Sequence, residues 1–227
     1  MHDLAAAHAA VLQRIARACE RSGRDRSEVA LVAVSKTVPP DAVRALVAAG
    51  QTLFGENRVQ EAIGKIALVG PGPRWHLIGH LQRNKARHAA GVFDVIHSVD
   101  DLELAREIDR RAQRAGTVQR ILVEVNVSKE ETKAGVGEHD LPALLDGIAG
   151  LAHLDLRGLM CIPTAVDRAE DARGAFAQLR DLRERSAQRL GRPLPELSMG
   201  MTDDFEVAIE EGATLVRVGR ALFGARA

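Results

Sequence analysis

Lys36 is a residue whose type and position could do chemistry. It ends the apolar run Leu31-Val-Ala-Val-Ser-Lys36, a pattern that predicts a buried strand. The chain has five lysines against a large excess of arginine, which keeps its proton near neutral pH. A partly desolvated lysine can lose its proton and form a Schiff base with an aldehyde. A surface lysine whose aliphatic stem lies along the strand end is the simpler interpretation.

A glycine-containing turn near the C-terminus has the composition of a phosphate site. The segment is Leu197-Ser-Met-Gly-Met-Thr-Asp-Asp-Phe-Glu206, in which Gly200 permits an unusual backbone turn after a short strand. The backbone N–H groups from Ser198 through Met201 to Thr202 could form a cradle for a phosphate, together with the two hydroxyls. A tight turn with an ordinary helix cap is the alternative.

The acidic residues of this turn bear on both interpretations. Thr202 or Asp203 can cap the following helix, and Asp203 lies three residues before Glu206, which is the spacing of a capping box. A carboxylate that faced the turn would repel an anion. We therefore expect Asp203 and Asp204 to point outward along the first helical turn.

Arg217 interrupts an apolar run that otherwise suits a buried strand. Strand alternation places Leu215, Arg217 and Gly219 on one face and Val216 and Val218 on the other. If the first face is the interior, a permanent cation lies inside the fold, where it needs a partner. A structural salt bridge and a ligand contact are both open at this point, and Gly219 leaves room for a ligand near the backbone.

An amine, a phosphate cradle and an interior cation together suggest pyridoxal 5'-phosphate (PLP). The aldehyde of this cofactor would bond to Lys36, its phosphate would lie at Ser198–Thr202, and its pyridine nitrogen could face Arg217. An arginine at this position would keep the ring nitrogen unprotonated and would weaken the cofactor as an electron sink.

Short β-rich runs alternate with helical patterns along the chain. The predicted strands are Ala30–Ser35, Thr52–Gly55, Trp75–Gly79, Val95–Val99, Ile121–Val127, Leu156–Met160, Glu196–Met199 and Leu215–Val218. The predicted helices are a first helix capped by Asp3 and running to about Arg21, then Asp41–Ala49, Arg58–Leu68, Asp101–Ala115, His139–Ile148 and Ala169–Leu190.

This alternation predicts an α/β fold with a parallel sheet. Eight strands in a chain near the usual ~250 residues favour a single (β/α)8 TIM-type barrel over residues 1–227, with an extra N-terminal helix (1–22) packed on it. A doubly wound sheet is the rival, but no Gly-x-Gly-x-x-Gly follows the first strand. Both architectures gather function at the carboxyl ends of the strands, and barrels often bind phosphate with the loops after strands seven and eight. We expect those loops at 198–202 and 219–222.

The composition disfavours several classes of function. The formal net charge is zero and both signs are interspersed, so we expect no nucleic-acid binding, although Arg83-Asn-Lys-Ala-Arg87 forms a local basic cluster. The chain has no apolar run of about 18 residues to span a membrane and no signal-like N-terminus, which predicts a cytoplasmic protein. Cys19 and Cys161 are expected to be separate thiols, and no residue cluster has the spacing of a metal site.

Several sequence blocks extend from the first predicted strand to the last. These blocks are Ala33-Val-Ser-Lys-Thr37, Phe54-Gly-Glu-Asn-Arg-Val-Gln-Glu61, Trp75-His-Leu-Ile-Gly-His-Leu-Gln-Arg-Asn-Lys85, Val123-Glu-Val-Asn-Val127, Lys133-Ala-Gly135, Arg157-Gly-Leu-Met160, the 197–206 segment and Val216-Arg-Val-Gly-Arg-Ala-Leu-Phe-Gly224. Together they resemble one known family, the pyridoxal phosphate homeostasis proteins. The blocks cover nearly the whole chain and several are long, which makes the resemblance specific. It implies a single-domain barrel like the N-terminal domain of alanine racemase.

The resemblance also implies roles for individual residues. Lys36 matches the lysine that carries PLP, and Arg217 matches an arginine near the pyridine nitrogen. The Ser198–Thr202 segment and the turn at Gly219 match the phosphate site. Asn57 matches a position that lines the pocket. Family members are not established enzymes and are thought to bind, buffer and pass on the cofactor.

The absence of tyrosine from the chain argues against a racemase. Racemases of the related fold use a lysine on one face of the substrate and a tyrosine from a second domain on the other, so two-face proton transfer here has no second base. His80 or His97 could substitute in principle, but histidines at strand ends are more often structural. We therefore expect no catalytic residue and no robust turnover.

Three hypotheses follow from these residues. The leading one is a monomer that holds PLP as a reversible Schiff base on Lys36 and serves in vitamin B6 homeostasis, by storage or by delivery to apo PLP-dependent enzymes. Other B6 vitamers are further candidate ligands. A PLP-dependent amino-acid racemase or lyase using the same lysine is the alternative. The third is an aldolase that forms a Schiff base between Lys36 and a sugar phosphate.

Overall fold

Eight parallel strands form a closed β-barrel in the computed structural model, which describes residues 3–128, 130 and 133–224. The strands are β1 (Ala30–Val34), β2 (Leu53–Glu56), β3 (Arg74–Leu77), β4 (Val95–Val99), β5 (Gln119–Glu124), β6 (Leu154–Met160), β7 (Glu196–Ser198) and β8 (Leu215–Val218). The last strand pairs with the first, with Val32 opposite Arg217 and Ala33 opposite Val218. This closure confirms the predicted barrel and rules out an open, doubly wound sheet.

Helices follow most of the strands. They are α1 (Leu4–Arg21), α2 (Pro40–Ala48), α3 (Val59–Val69), α4 (Ala86–Ala89), α5 (Leu102–Arg114), α6 (Leu141–Ala149), α7 (Arg173–Leu190), α8 (Phe205–Glu210) and α9 (Arg220–Phe223), with 3₁₀ turns at Arg26–Glu28, Arg83–Lys85 and Ala169–Ala172. The sequence predicted neither α4 nor α9 as a helix, because a helix of four residues is too short to show a 3.6-residue period.

Two predicted elements have different bounds in the structure. The strand expected at Ile121–Val127 stops at Glu124, because the backbone beyond it forms hydrogen bonds with Val136. The helix expected at Ala169–Leu190 begins with a 3₁₀ turn and becomes α-helical at Arg173. The other predicted bounds differ from the observed ones by a few residues, as is usual for element ends.

The N-terminal helix α1 packs against the outer helices α2, α8 and α9. Asp3 caps it as predicted, since its carboxylate accepts a hydrogen bond from the Ala6 N–H (3.0 Å). Its buried face includes Val11 and Ile15, and Arg14 on its polar face donates to Glu206 of α8 (3.1 Å). The helix therefore contacts the region in which the predicted phosphate segment lies.

The apolar side chains form two layers, one inside the barrel and one between the strands and the helices. The inner cluster consists of Val32, Leu53, Ile78, Val95, Leu122, Met160 and Leu215. Val216 and Val218 belong to the outer layer, so alternation along β8 directs Arg217 into the barrel. The sequence did not decide whether the face of β8 that carries Arg217 points into the barrel, and the structure shows that it does.

Cys19 and Cys161 are buried free thiols, which confirms that prediction. Among the residues that the structure describes, no helix combines the length and the apolar character needed to cross a membrane. In that same part of the chain, no group of three or more His, Cys, Asp and Glu side chains is arranged to hold a metal ion.

Candidate functional site

A cavity of about 960 Å³ opens at the carboxyl ends of the strands, on the side of β1 and β8. It brings together most of the site residues predicted from the sequence, namely Lys36, Asn57, Met201, Thr202, Arg217 and Gly219. The buried carbonyl oxygen of the Asn57 side chain has no hydrogen-bond partner in the protein. An orphaned acceptor of this kind favours a ligand that donates a hydrogen bond, because an unpaired buried polar atom is costly.

Ser198 and Gly200 do not line this cavity. The hydroxyl of Ser198 is fully buried and accepts a hydrogen bond from Nη1 of Arg217 (2.6 Å). Gly200 accepts a bond from the Arg217 backbone N–H (2.9 Å) and has a φ of +88°, where a Cβ would lie 2.6 Å from that of Ala208. Both residues support Arg217 from behind the wall, and their direct contact with a phosphate stays a prediction.

Arg217 is 4% exposed and its guanidinium is held by neutral groups. Nη1 donates to Ser198, and Nη2 donates to the backbone carbonyl of Cys161 (2.9 Å). None of the carboxylates that the structure describes lies within salt-bridge distance of it, so the structural salt bridge left open by the sequence does not form in that part of the chain. Burial lowers the pKa of Arg217 from its ordinary value. The cation is therefore available to a ligand in the cavity.

A chain of hydrogen bonds runs from Arg217 into the barrel. Nδ1 of His97 lies 2.9 Å from the Ser198 hydroxyl, and Nε2 of His97 lies 2.8 Å from Nδ1 of His76. Burial lowers the pKa of His76 to about 3 and that of His97 well below its usual 6.5, so both rings are neutral. Because Ser198 accepts from Arg217, its own proton is free for His97, and every donor in the chain then points the same way. His97 is fully buried and does not line the cavity, and its lack of a catalytic role stays a prediction.

The phosphate segment differs from prediction at its acidic residues. Asp203 is exposed and pairs with Arg220, but Asp204 is buried and accepts a hydrogen bond from the Met201 N–H (2.6 Å). The expectation that both point outward is wrong for Asp204, and Asp203 also borders the cavity. The predicted caps at Thr202 and Asp203 are also wrong, because α8 begins at Phe205 with Asp204 in the N-cap position.

Asp204 lies in the wall of the cavity, where burial raises the pKa of its carboxyl. Glu124, inside the barrel, has its pKa raised to about 7, first by burial and then by Asp100. A partly protonated carboxyl repels an anion less than an ionised one. Glu124, whose pKa lies near neutrality, therefore reduces the positive character of the Arg217 region only in part at neutral pH.

Four of the five lysines lie in the described part of the chain, and Lys36 alone among those four lines the cavity. Lys65 is buried and donates to Glu56 (2.7 Å), and Lys133 donates to Thr164 (3.1 Å) at an exposed position. Lys85 belongs to the 3₁₀ turn at 83–85, and Lys129 lies outside the described residues. This placement favours Lys36 as the amine that meets a ligand.

Sequence reasoning missed Lys65 and Glu56, which lie directly behind the Lys36 loop. Nζ of Lys65 donates to the Ser35 carbonyl at 2.6 Å as well as to Glu56. Glu61 and Lys65 are four residues apart on α3, a spacing that is ordinarily typical of a solvent-exposed ion pair. The apolar spacing of Val59, Ala62 and Ile66 could have placed Lys65 at the edge of the buried face.

The fold and site define a class of protein, a (β/α)8 barrel with a cavity lysine after its first strand and a buried arginine on its last. The family model of the alanine racemase N-terminal domain matches residues 8–227, and the chain belongs to that family. Curated relatives called pyridoxal phosphate homeostasis protein match over nearly their whole length. The one from Aquifex aeolicus is 47% identical, covering 95% of each chain, and the one from Pseudomonas aeruginosa is 45% identical, covering 100% of this chain and 97% of its own.

Solved structures agree with this assignment. PipY of Synechococcus elongatus, solved with PLP bound, has a TM-score of 0.83 and 43% identity over 94% of this chain and 100% of its own. Alanine racemase from Corynebacterium glutamicum has a TM-score of 0.69 at 16% identity, over 95% of this chain and 61% of its own. The second likeness shows a shared fold.

Proposed function

We propose that this protein binds PLP as a reversible Schiff base on Lys36 and serves in PLP homeostasis. The observation that carries the proposal is one cavity lined by Lys36, Arg217 and Asn57, whose buried side-chain carbonyl oxygen has no hydrogen-bond partner in the protein. The names of the curated relatives and the PLP-bound PipY structure support it.

The residues present fit the chemical groups of this cofactor. Bound PLP supplies an aldehyde, which reacts with an amine to give an imine and one water. Met201, Thr202 and Gly219 are the cavity residues that would hold the phosphate. Arg217 would donate a hydrogen bond to the pyridine nitrogen, and Asn57 would accept one from the ring hydroxyl.

Arg217 also limits what the site can catalyse. A guanidinium cannot give up its proton near neutral pH, so it keeps a ring nitrogen unprotonated and weakens the ring as an electron sink. The chain has no tyrosine to act as a second base. Storage or delivery of PLP without robust turnover is therefore the function we propose, in preference to a racemase or lyase.

Absorbance spectroscopy tests the anchor. Wild-type protein, Lys36→Ala and the control Lys85→Ala are mixed with PLP, and the visible band of a protonated imine is recorded. We expect the band in the wild type and in Lys85→Ala but not in Lys36→Ala. No band in the wild type would overturn PLP binding through an imine, and a full band in Lys36→Ala would assign the anchor elsewhere.

Mixing the loaded protein with an apo PLP-dependent enzyme distinguishes delivery from storage. Activation faster than the release of PLP into solution would support delivery, whereas activation at the release rate would leave storage. α-Hydrogen exchange of an amino acid, lost in Lys36→Ala, would instead support the racemase or lyase. Binding of other B6 vitamers, the monomeric state, the single domain and the cytoplasmic location stay predictions.

A further inference from the structure

The backbone next to Lys36 is in a conformation that its sequence disfavours. Thr37 has a φ of +62° and is the one non-glycine residue with positive φ among those that the structure describes. The left-handed region is uncommon for any residue with a side chain and a genuine outlier for a β-branched one. Such a conformation persists when the surrounding contacts determine it, and residues of this kind cluster at functional sites.

Side chains of α3 hold the peptide groups on both sides of Lys36. Before it, the Ser35 carbonyl accepts a hydrogen bond from Nζ of Lys65 (2.6 Å). After it, the Thr37 N–H donates to Oε1 of Glu61 (2.8 Å). Lys65 and Glu61 also approach each other to 3.7 Å, so one ion pair connects the two attachment points.

A third charged residue, Glu56 of β2, completes this group. Its Oε1 accepts from Nζ of Lys65 (2.7 Å) and from the Ser35 hydroxyl (2.7 Å). Lys65 is 6% exposed and Glu56 is fully buried. Buried ion pairs are a weak source of stability, since apolar residues of similar volume often stabilise a fold as well. Their attachment to both neighbours of Lys36 suggests a purpose other than stability.

We propose that Lys65, Glu61 and Glu56 form a clamp, here called the α3 clamp, that holds the Lys36 loop so that its amine is presented to the cavity. The inference rests on the proposed function of Lys36. None of the three residues lines the cavity, and all three are therefore positioning residues. The clamp maintains the left-handed Thr37, which fixes the direction in which the preceding side chain leaves the strand.

Glu61→Ala tests the clamp, because it removes the acceptor for the Thr37 N–H at a side chain that is one-third exposed (33%). We expect PLP affinity, measured by titration of the imine band, to fall about tenfold as Thr37 leaves the left-handed region. Glu61→Gln keeps an acceptor and should retain most of the affinity. Glu103→Ala, which breaks a comparable surface pair with Arg106 on α5, is the matched control.

A second substitution separates positioning from general destabilisation. Glycine populates positive φ about as readily as negative φ, so Thr37→Gly in the Glu61→Ala background should recover most of the lost affinity. A purely structural role would lower the Tm of the PLP-free protein and leave the affinity unchanged, and Thr37→Gly alone reports any direct contact of Thr37 with PLP.

The outcomes distinguish this inference from the proposed function. A wild-type band that Lys36→Ala abolishes, with wild-type affinity in Glu61→Ala, would overturn the clamp alone. The clamp is likewise overturned if Glu61→Ala/Thr37→Gly binds no better than Glu61→Ala. Absence of a band in the wild type would overturn the proposed function first. Lys65→Met should weaken binding at least as much as Glu61→Ala, and these comparisons still decide the matter if that variant does not fold.

Discussion

The two ends of the cavity are built from different chemistry. At the amine end, Lys36 lies in a loop held by charged side chains outside the cavity, where Lys65 pairs with Glu56 and Glu61. At the cation end, Arg217 enters the barrel itself and is held by a serine hydroxyl and a backbone carbonyl. The charged side chains that hold the amine end lie behind the cavity wall, whereas the charged side chain of the cation end, Arg217, lies in the wall itself.

The two ends differ in the charge that they present to a ligand in the cavity. The α3 clamp consists of one lysine and two glutamates, and none of the three lines the cavity, so their effect on the cavity is mainly geometric. A guanidinium held by neutral acceptors keeps its positive field, which a low-dielectric surrounding screens less than water does. We infer that the amine end fixes geometry and the cation end attracts an anionic ligand.

The largest expected effect concerns pH and the two neutral histidines. The folded-state pKa of His76 is about 3, below its ordinary 6.5, so the stability that depends on neutral His76 is present above pH 6.5 and is lost as pH falls toward 3. His76→Gln keeps a hydrogen-bonding group but does not titrate. As the pH falls below 6.5, the free energy of unfolding of His76→Gln should decrease less than that of the wild type. The difference between the two proteins should grow by about 1.4 kcal/mol for each pH unit.

Urea unfolding at several pH values measures this slope. His88→Gln removes an exposed histidine on α4 and serves as the control. Parallel acid profiles for the wild type and His76→Gln would show that the histidine chain is not held neutral, and the description of the cation end would then fail.

The substitution Arg217→Met should give the second-largest effect, which is a loss of PLP affinity. It removes the cation while keeping much of the volume, and we expect PLP affinity to fall about 100-fold, or about 2.7 kcal/mol, the size of a hydrogen bond to a charged group. Titration of the imine band measures it, with Arg106→Met at an exposed position on α5 as the control. Affinity within about twofold of the wild type would show that the cation end does not attract the ligand.

Two serine substitutions give the smallest effect and compare the ends directly. Ser198→Ala leaves Nη1 of Arg217 and Nδ1 of His97 without their shared partner, at a cost of about 1–3 kcal/mol in the free energy of unfolding. Ser35→Ala removes one bond to Glu56, whose Oε1 keeps Lys65, and should cost about 1 kcal/mol or less. Equal losses in urea unfolding would show that the two ends do not differ in this way.

Local patterns in the chain predicted much of this architecture. Alternating β-rich and helical runs predicted the order of the elements. Strand alternation around Arg217 predicted that its side chain lies on the opposite face of β8 from Val216 and Val218. Lys36 was identified because an amine at a strand end is unusual in an arginine-rich chain. The element order and the face of Arg217 were predicted correctly because the period of a segment is set by neighbours in sequence.

The sequence by itself therefore determined the element order, the amine and the cation, which are properties of short segments. Only the tertiary structure decided that β8 closes on β1, that Ser198 faces Arg217 and His97, and that Asp204 turns inward. Only the tertiary structure also decided that Lys65 reaches the Ser35 carbonyl, thirty residues away along the chain. Each of these contacts joins segments that are distant in sequence, and which polar groups meet depends on how the closed barrel packs its strands and helices.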